Sequence, residues 1–116
     1  IQEIKGHMWK GKCDIIMHKD EVLIDLKTTA KLDDFRFSAK RYNYDSQCFI
    51  YERIFGKPMI FYVIEKGTHR LGKYTPSVDF IRGGEQKLER ALEVYSKFFA
   101  EDAPENVDNY FISEVL

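Results

Sequence analysis

Gly11-Lys12-Cys13-Asp14-Ile15-Ile16-Met17 and Val22-Leu23-Ile24-Asp25-Leu26-Lys27-Thr28-Thr29 are two apolar-rich runs separated by the polar stretch His18-Lys19-Asp20-Glu21. Alternation of side chains along a strand puts Asp25 and Lys27 on one face and Ile24 and Leu26 on the other. On the first run, Asp14 shares a face with Lys12 and Ile16. A hairpin turning at Lys19-Asp20 sets Asp14 directly opposite Asp25, and any turn of even length at this place keeps that register. Opposed residues of an antiparallel pair hold their Cβ atoms about 4.5–5.5 Å apart, so two carboxylates there either repel one another or share a divalent cation. A hard cation takes carboxylate and water oxygens, and Lys27 can hold a water or phosphate oxygen beside it. The plainer alternative turns both acids outward into solvent, with Lys27 neutralising them.

Working outward, residues 2–9 read as a first strand that turns near Trp9-Lys10 and pairs with the Gly11 run, which would bring His7 beside Asp14. Residues 11–18 and 21–28 are the second and third strands. Asp33-Asp34-Phe35 opens a short helix or turn toward Tyr42. A helix over residues 44–55 ends at Gly56, with Pro58 just beyond. On it, Gln47 and Tyr51 lie one turn apart on a shared face. Met59-Ile60-Phe61-Tyr62-Val63-Ile64 is a buried strand, and the strand–helix–strand connection favours a right-handed crossover with parallel pairing. The last helix, residues 84–100, carries Leu88, Ala91, Leu92, Tyr95, Phe98 and Phe99 along one stripe. Gly67-Thr68-His69-Arg70-Leu71-Gly72-Lys73 matches a phosphate-binding G-x-x-x-x-G-K loop. Tyr74 replaces the hydroxyl residue that would hold Mg²⁺, and Thr75-Pro76 opposes the helix that should follow, so the stretch reads as a turn between strands.

The 116 residues are 44% hydrophobic and 15% aromatic, enough for one domain that buries a core. No apolar run approaches the roughly 18 residues of a membrane span, and no signal peptide is visible. Glu101, Asp102, Glu105, Asp108 and Glu114 are the charged residues after position 100; with five negatives there and −1 overall, residues 1–100 carry +4. Lys31, Arg36, Lys40 and Arg41 follow the Asp25 strand, where a phosphate backbone would need contacts; a solvated helix face is the competing reading. Cys13 and Cys48 lack paired spacing and suit buried thiols in a reducing compartment. His7, His18 and His69 lack metal-ligand spacing as well.

In order, Gly11-x-x-Asp14, Asp25-x-Lys27 with its following threonines, and Gln47-x-x-x-Tyr51 resemble the motifs of PD-(D/E)xK nucleases, most closely the RecE/RecB-type exonucleases that include phage recombination exonucleases. The resemblance implies an α/β, restriction-endonuclease-like core: a mixed sheet of antiparallel hairpins plus a parallel crossover, flanked by helices. It implies a single core over residues 1–116 lacking an N-terminal helical part, with residues 101–116 as an acidic C-terminal segment. Asp14 and Asp25 would bind Mg²⁺, or Mn²⁺ in its place, with the backbone carbonyl of Leu26 as a further ligand, and Lys27 would orient the attacking water. Gln47 and Tyr51 would position the metal-site strand or the DNA end, and Thr28, Lys40 and Arg41 would touch the DNA backbone. The expected activity is exonucleolytic hydrolysis of linear double-stranded DNA in recombination or repair. The resemblance also implies a cytoplasmic protein of a bacterium or phage that forms homo-oligomers and works with a recombinase or single-strand annealing protein. One departure is plain: the family's upstream helix, which supplies another acid or histidine, cannot fit in the ten residues before Gly11. Two readings compete with this one. A non-catalytic nucleic-acid-binding or assembly module on the same scaffold would bind DNA without cutting it. A small protein-interaction domain would use Tyr110-Phe111-Ile112 as its contact.

Overall fold

The computed structural model describes residues 1–99 and 114–116. The two runs form a hairpin, β3 (Ile15–Met17) and β4 (Val22–Thr29), joined by a four-residue turn, His18 to Glu21. Ile15 pairs with Ile24 and Met17 with Val22, so the next pair along the ladder is Asp14 and Asp25, as the even-length turn requires. The ladder stops one residue short of that pair. Leu26 N–H, which a continued β3 would have met with a carbonyl, donates instead to Asp14 Oδ2 at 3.0 Å. The second strand therefore covers residues 15–17 and not 11–18.

The first strand is also corrected. Residues 2–9 fold on themselves as a small hairpin, β1 (Gln2–Ile4) and β2 (His7–Trp9), which forms a separate two-stranded sheet and does not pair with the Gly11 segment. Lys5 and Gly6 both take positive φ, 50° and 81°, and that twist suits a two-residue hairpin turn. Lys5 ties this hairpin to the last helix through Glu85 and Glu89, at 3.2 and 2.6 Å.

After β4 a 3₁₀ turn (Leu32–Asp34) leads into α1 (Phe35–Arg41) and then α2 (Tyr44–Phe55), whose limits match the sequence reading. Gly56 closes α2 in the left-handed conformation with its N–H on the Glu52 carbonyl, a conformation that glycine adopts without penalty. β5 (Met59–Glu65) then runs parallel to β4, from Leu23 against Met59 to Thr29 against Glu65. β6 (Leu71–Tyr74) returns antiparallel, so the Gly67–Lys73 stretch is a turn running into a strand. The sheet order is β3-β4-β5-β6.

The last helix, α3 (Val78–Phe98), begins six residues before the expected position 84. Ser77 caps it by accepting the Phe80 amide at 3.1 Å. The helix continues through Gly83-Gly84 because α2 crosses there: a Cβ at Gly84 would overlap the Asp45 carbonyl. The acidic segment 101–116 and its Tyr110-Phe111-Ile112 fall almost wholly outside the described residues.

Leu23, Phe35, Cys48, Met59, Phe61 and Val63 make the core between one sheet face and the helices. The other face leaves Ile15, Leu26, Tyr62, Ile64 and Leu71 exposed. The result is an α/β fold with a mixed sheet flanked by helices, consistent with a restriction-endonuclease-like core. No described helix is long and apolar enough to cross a membrane.

Candidate active site

Asp25 and Lys27 point from the middle of β4 toward α2. Asp25 is only 4% exposed. Its Oδ1 accepts a long hydrogen bond, 3.3 Å, from Gln47 Nε2. Its Oδ2 is buried. The Lys27 ammonium meets that oxygen as an ion pair at 2.9 Å. Burial raises the Asp25 carboxyl above the usual carboxylate range; Lys27 pulls it back, and the neighbouring Asp14 pushes it up again. A buried carboxylate with one long hydrogen bond and one ion pair, next to a second carboxylate, has the electrostatic form of a site for a divalent cation.

Gln47 reaches Asp25 from the first half of α2. Tyr51, one turn further on, stands under the segment that leads to Asp14: a Cβ at Gly11 would come within 2.9 Å of its ring. That close approach explains a glycine three residues before Asp14, and it makes Tyr51 a support for the Asp14 segment. Tyr44, one turn before Gln47, was missed from the sequence. Its ring centroid lies 4.1 Å from Lys27 Nζ, so the ammonium sits between an aromatic face and the Asp25 carboxylate. The signal was present in the spacing of Tyr44, Gln47 and Tyr51 along one helix face.

Leu26 contributes through its backbone. Leu23 N–H donates to the Pro58 carbonyl and the Thr29 carbonyl accepts from Lys66 N, so odd residues of β4 turn their backbone groups toward β5. The Leu26 N–H and carbonyl consequently face the opposite edge, beyond the end of β3, where Asp14 lies. Asp14 thus lies at the edge of β4 that the Leu26 carbonyl faces, and is a neighbour of Asp25. Among the described residues no group of three or more His, Cys, Asp or Glu side chains could hold a metal ion. Two carboxylates and a carbonyl fit Mg²⁺, which keeps several waters and needs only one or two carboxylates.

Other expected residues stand apart. Thr28 is exposed on the Leu26 face, away from Asp25; it is Thr29 that shares the Asp25 face, and its hydroxyl donates to the Lys31 carbonyl at 3.2 Å. Lys40 and Arg41 are exposed on the last turn of α1. His7 packs edge-on against Tyr95 of α3, its ring centroid 5.5 Å away, because its hairpin folds toward that helix and not along Gly11.

No curated protein matches the chain. A family model described as a PDDEXK-like domain of unknown function matches residues 1–108, nearly the whole length, and it covers the hairpin, α2 and every residue of the site above. The chain belongs to that family, DUF3799, and carries its nuclease-type scaffold.

Proposed function

We propose that the protein is a metal-dependent deoxyribonuclease that hydrolyses phosphodiester bonds of linear double-stranded DNA from an end, in recombination or repair. The observation that carries this reading is the buried Asp25 carboxylate set against Asp14 and Lys27. Asp14, Asp25 and the Leu26 carbonyl would hold Mg²⁺, with Mn²⁺ able to replace it. When bound, the ion would supply Lewis-acid stabilisation of the phosphate and a more acidic water. Lys27, held by Tyr44 and Asp25, is placed to hold a phosphate oxygen or the attacking water by hydrogen bonding. Gln47 fixes the orientation of Asp25, and Tyr51 fixes the segment that carries Asp14. The preference for DNA ends rests on the resemblance to RecE-type exonucleases.

The test is degradation of end-labelled linear DNA in Mg²⁺, with chelated and circular-DNA controls. Mg²⁺-dependent loss of label from linear DNA alone is expected, and Asp25→Ala or Lys27→Ala should abolish it. Unchanged rates in those variants would sink the mechanism. One observation favours a second reading: the side-chain donors stop at two carboxylates. If the scaffold only binds DNA, the oligonucleotide will bind in a salt-dependent way without cleavage and without response to Mg²⁺.

A further inference from the structure

Asp25, Phe61 and Tyr74 are direct lateral partners on β4, β5 and β6, so they form one row across the helix-covered face of the sheet. Beyond Asp25 this row runs beneath a cleft of about 350 Å³ between α1 and the start of α3. Phe35 and Phe61 floor the cleft, Tyr74 and Phe80 wall it, and Phe37 stands at its mouth. Strand spacing of about 4.8 Å puts the Tyr74 end of the row roughly 10 Å from Asp25. Tyr44, whose ring holds Lys27, also packs against Phe35 and Phe61, each with centroids 6.1 Å away. The aromatic lining is therefore continuous with the residues that fix the candidate active site.

The rim chemistry suits a polyanion with flat apolar groups. Arg36 and Lys40 line the cleft from α1 and are exposed. The acid at the rim, Asp79, faces Arg82 at 3.7 Å. Two hydroxyls of the walls are already engaged, Tyr74 on the Leu32 carbonyl and Ser77 on the Phe80 amide, both at 3.1 Å. A cleft with aromatic walls, cations at its rim and few free polar groups inside would stack a base without reading its identity.

We infer that this cleft receives an unpaired nucleobase of a DNA strand, next to the nucleotide whose phosphate lies at Asp25. The inference rests on the nuclease reading for its substrate, but it makes the cleft a separate subsite. Stacking there would hold a frayed or single-stranded end in place while Arg36 and Lys40 neutralise the adjoining phosphates.

The experiment uses the full chain and a short single-stranded oligonucleotide carrying 2-aminopurine, titrated in EDTA so that no cleavage occurs. Binding should change the fluorescence of the modified base. Phe37→Ala should weaken binding about tenfold, the loss of one base–aromatic stack, and Phe37→Tyr should restore it. Phe37 is 68% exposed, so its removal leaves the core intact. Thr75→Phe, which fills the cleft from an exposed position, should abolish the fluorescence response. The inference is overturned if the response is the same in all these variants, or if only Arg36→Ala and Lys40→Ala weaken binding. It is also overturned if the cleft takes an apolar peptide and not the oligonucleotide. Cleavage of linear DNA in Mg²⁺ is scored separately. Cleavage without a cleft-dependent response removes this subsite and leaves the nuclease; a cleft-dependent response without cleavage does the reverse.

Discussion

Two buried aspartates, Asp25 on β4 and Asp45 on α2, each face a lysine ammonium at 2.9 Å, yet they are built for different ends. Asp45 is saturated. Its Oδ1 accepts from the Ser46 amide at 3.0 Å and from Lys87 at 3.1 Å, while its Oδ2 takes the ion pair. The same Lys87 ammonium donates to the Lys40 carbonyl at 2.7 Å, and Gly84 lets α3 come close enough for Ser46 Oγ to donate to the Gly84 carbonyl at 3.0 Å. That pair fastens three helices together. Asp25 has one long hydrogen bond, from Gln47, besides its ion pair, and a second carboxylate beside it. A buried acid bonded to several elements holds structure; one with fewer bonds in company with a second acid has the character of a functional group.

The sharpest way to break this contrast is to remove each acid and score rate and stability apart. Asp25→Ala should lower Mg²⁺-dependent cleavage by about 10³-fold or more, roughly 4 kcal/mol of barrier, while Asp45→Ala should leave the rate per folded molecule nearly unchanged. End-labelled DNA assays normalised to folded protein check both. The second comparison reverses the order. Asp45→Ala strands Lys87 and the Ser46 amide and should cost about 2–3 kcal/mol of unfolding free energy, below the usual value for a fully buried pair because Lys87 is partly exposed. Asp25→Asn should cost under about 1 kcal/mol, or stabilise, since it removes a charge that burial disfavours. Urea unfolding of the metal-free protein decides it, and a larger loss from Asp25→Asn than from Asp45→Ala would erase the distinction.

Tyr44 sharpens the functional half. Tyr44→Leu removes the aromatic face under Lys27 and should slow cleavage about tenfold, whereas Tyr44→Phe keeps the face and most of the rate. Equal loss in both variants would point to the hydroxyl and not the ring. The smallest expected effect concerns a third buried acid, Glu65, which accepts from the Thr68 hydroxyl and the Leu32 amide and faces Arg70. The Thr68 bond, then the Leu32 amide, hold its carboxyl below the ordinary value of 4.5, against the opposing effect of burial. A depressed folded value gives stability that is complete above the unfolded value and is lost as pH falls through the folded one. Thermal unfolding followed below about pH 4.5 should therefore show a shallower acid dependence in Glu65→Gln than in the native protein.

Much of this was legible in the chain. Alternation put Asp25 and Lys27 on one face, and the even-length turn put Asp14 across from Asp25. The glycine and proline after Phe55 marked the end of α2. The same alternation also assigns Thr28 to the opposite face, and its place in the expected site gave way to that simple geometry. Two elements misled for a local reason. The last helix starts six residues before 84, and Gly84 inside it serves a close crossing with α2 that no single-helix pattern displays. Lys5-Gly6 carried a turn signal weaker than the apolar alternation around it.

The sequence by itself determined which residues alternate, which stretches are helical and which acids face one another across a hairpin. These depend on side-chain periodicity and turn length, which are local. Only the tertiary structure decided that Tyr44 stacks on Lys27, that Tyr51 needs Gly11, that the first hairpin joins α3, and that Asp25 has fewer bonds than Asp45. Those outcomes depend on how close separate elements approach and on which polar groups meet after packing, and neither is encoded at any one place in the chain.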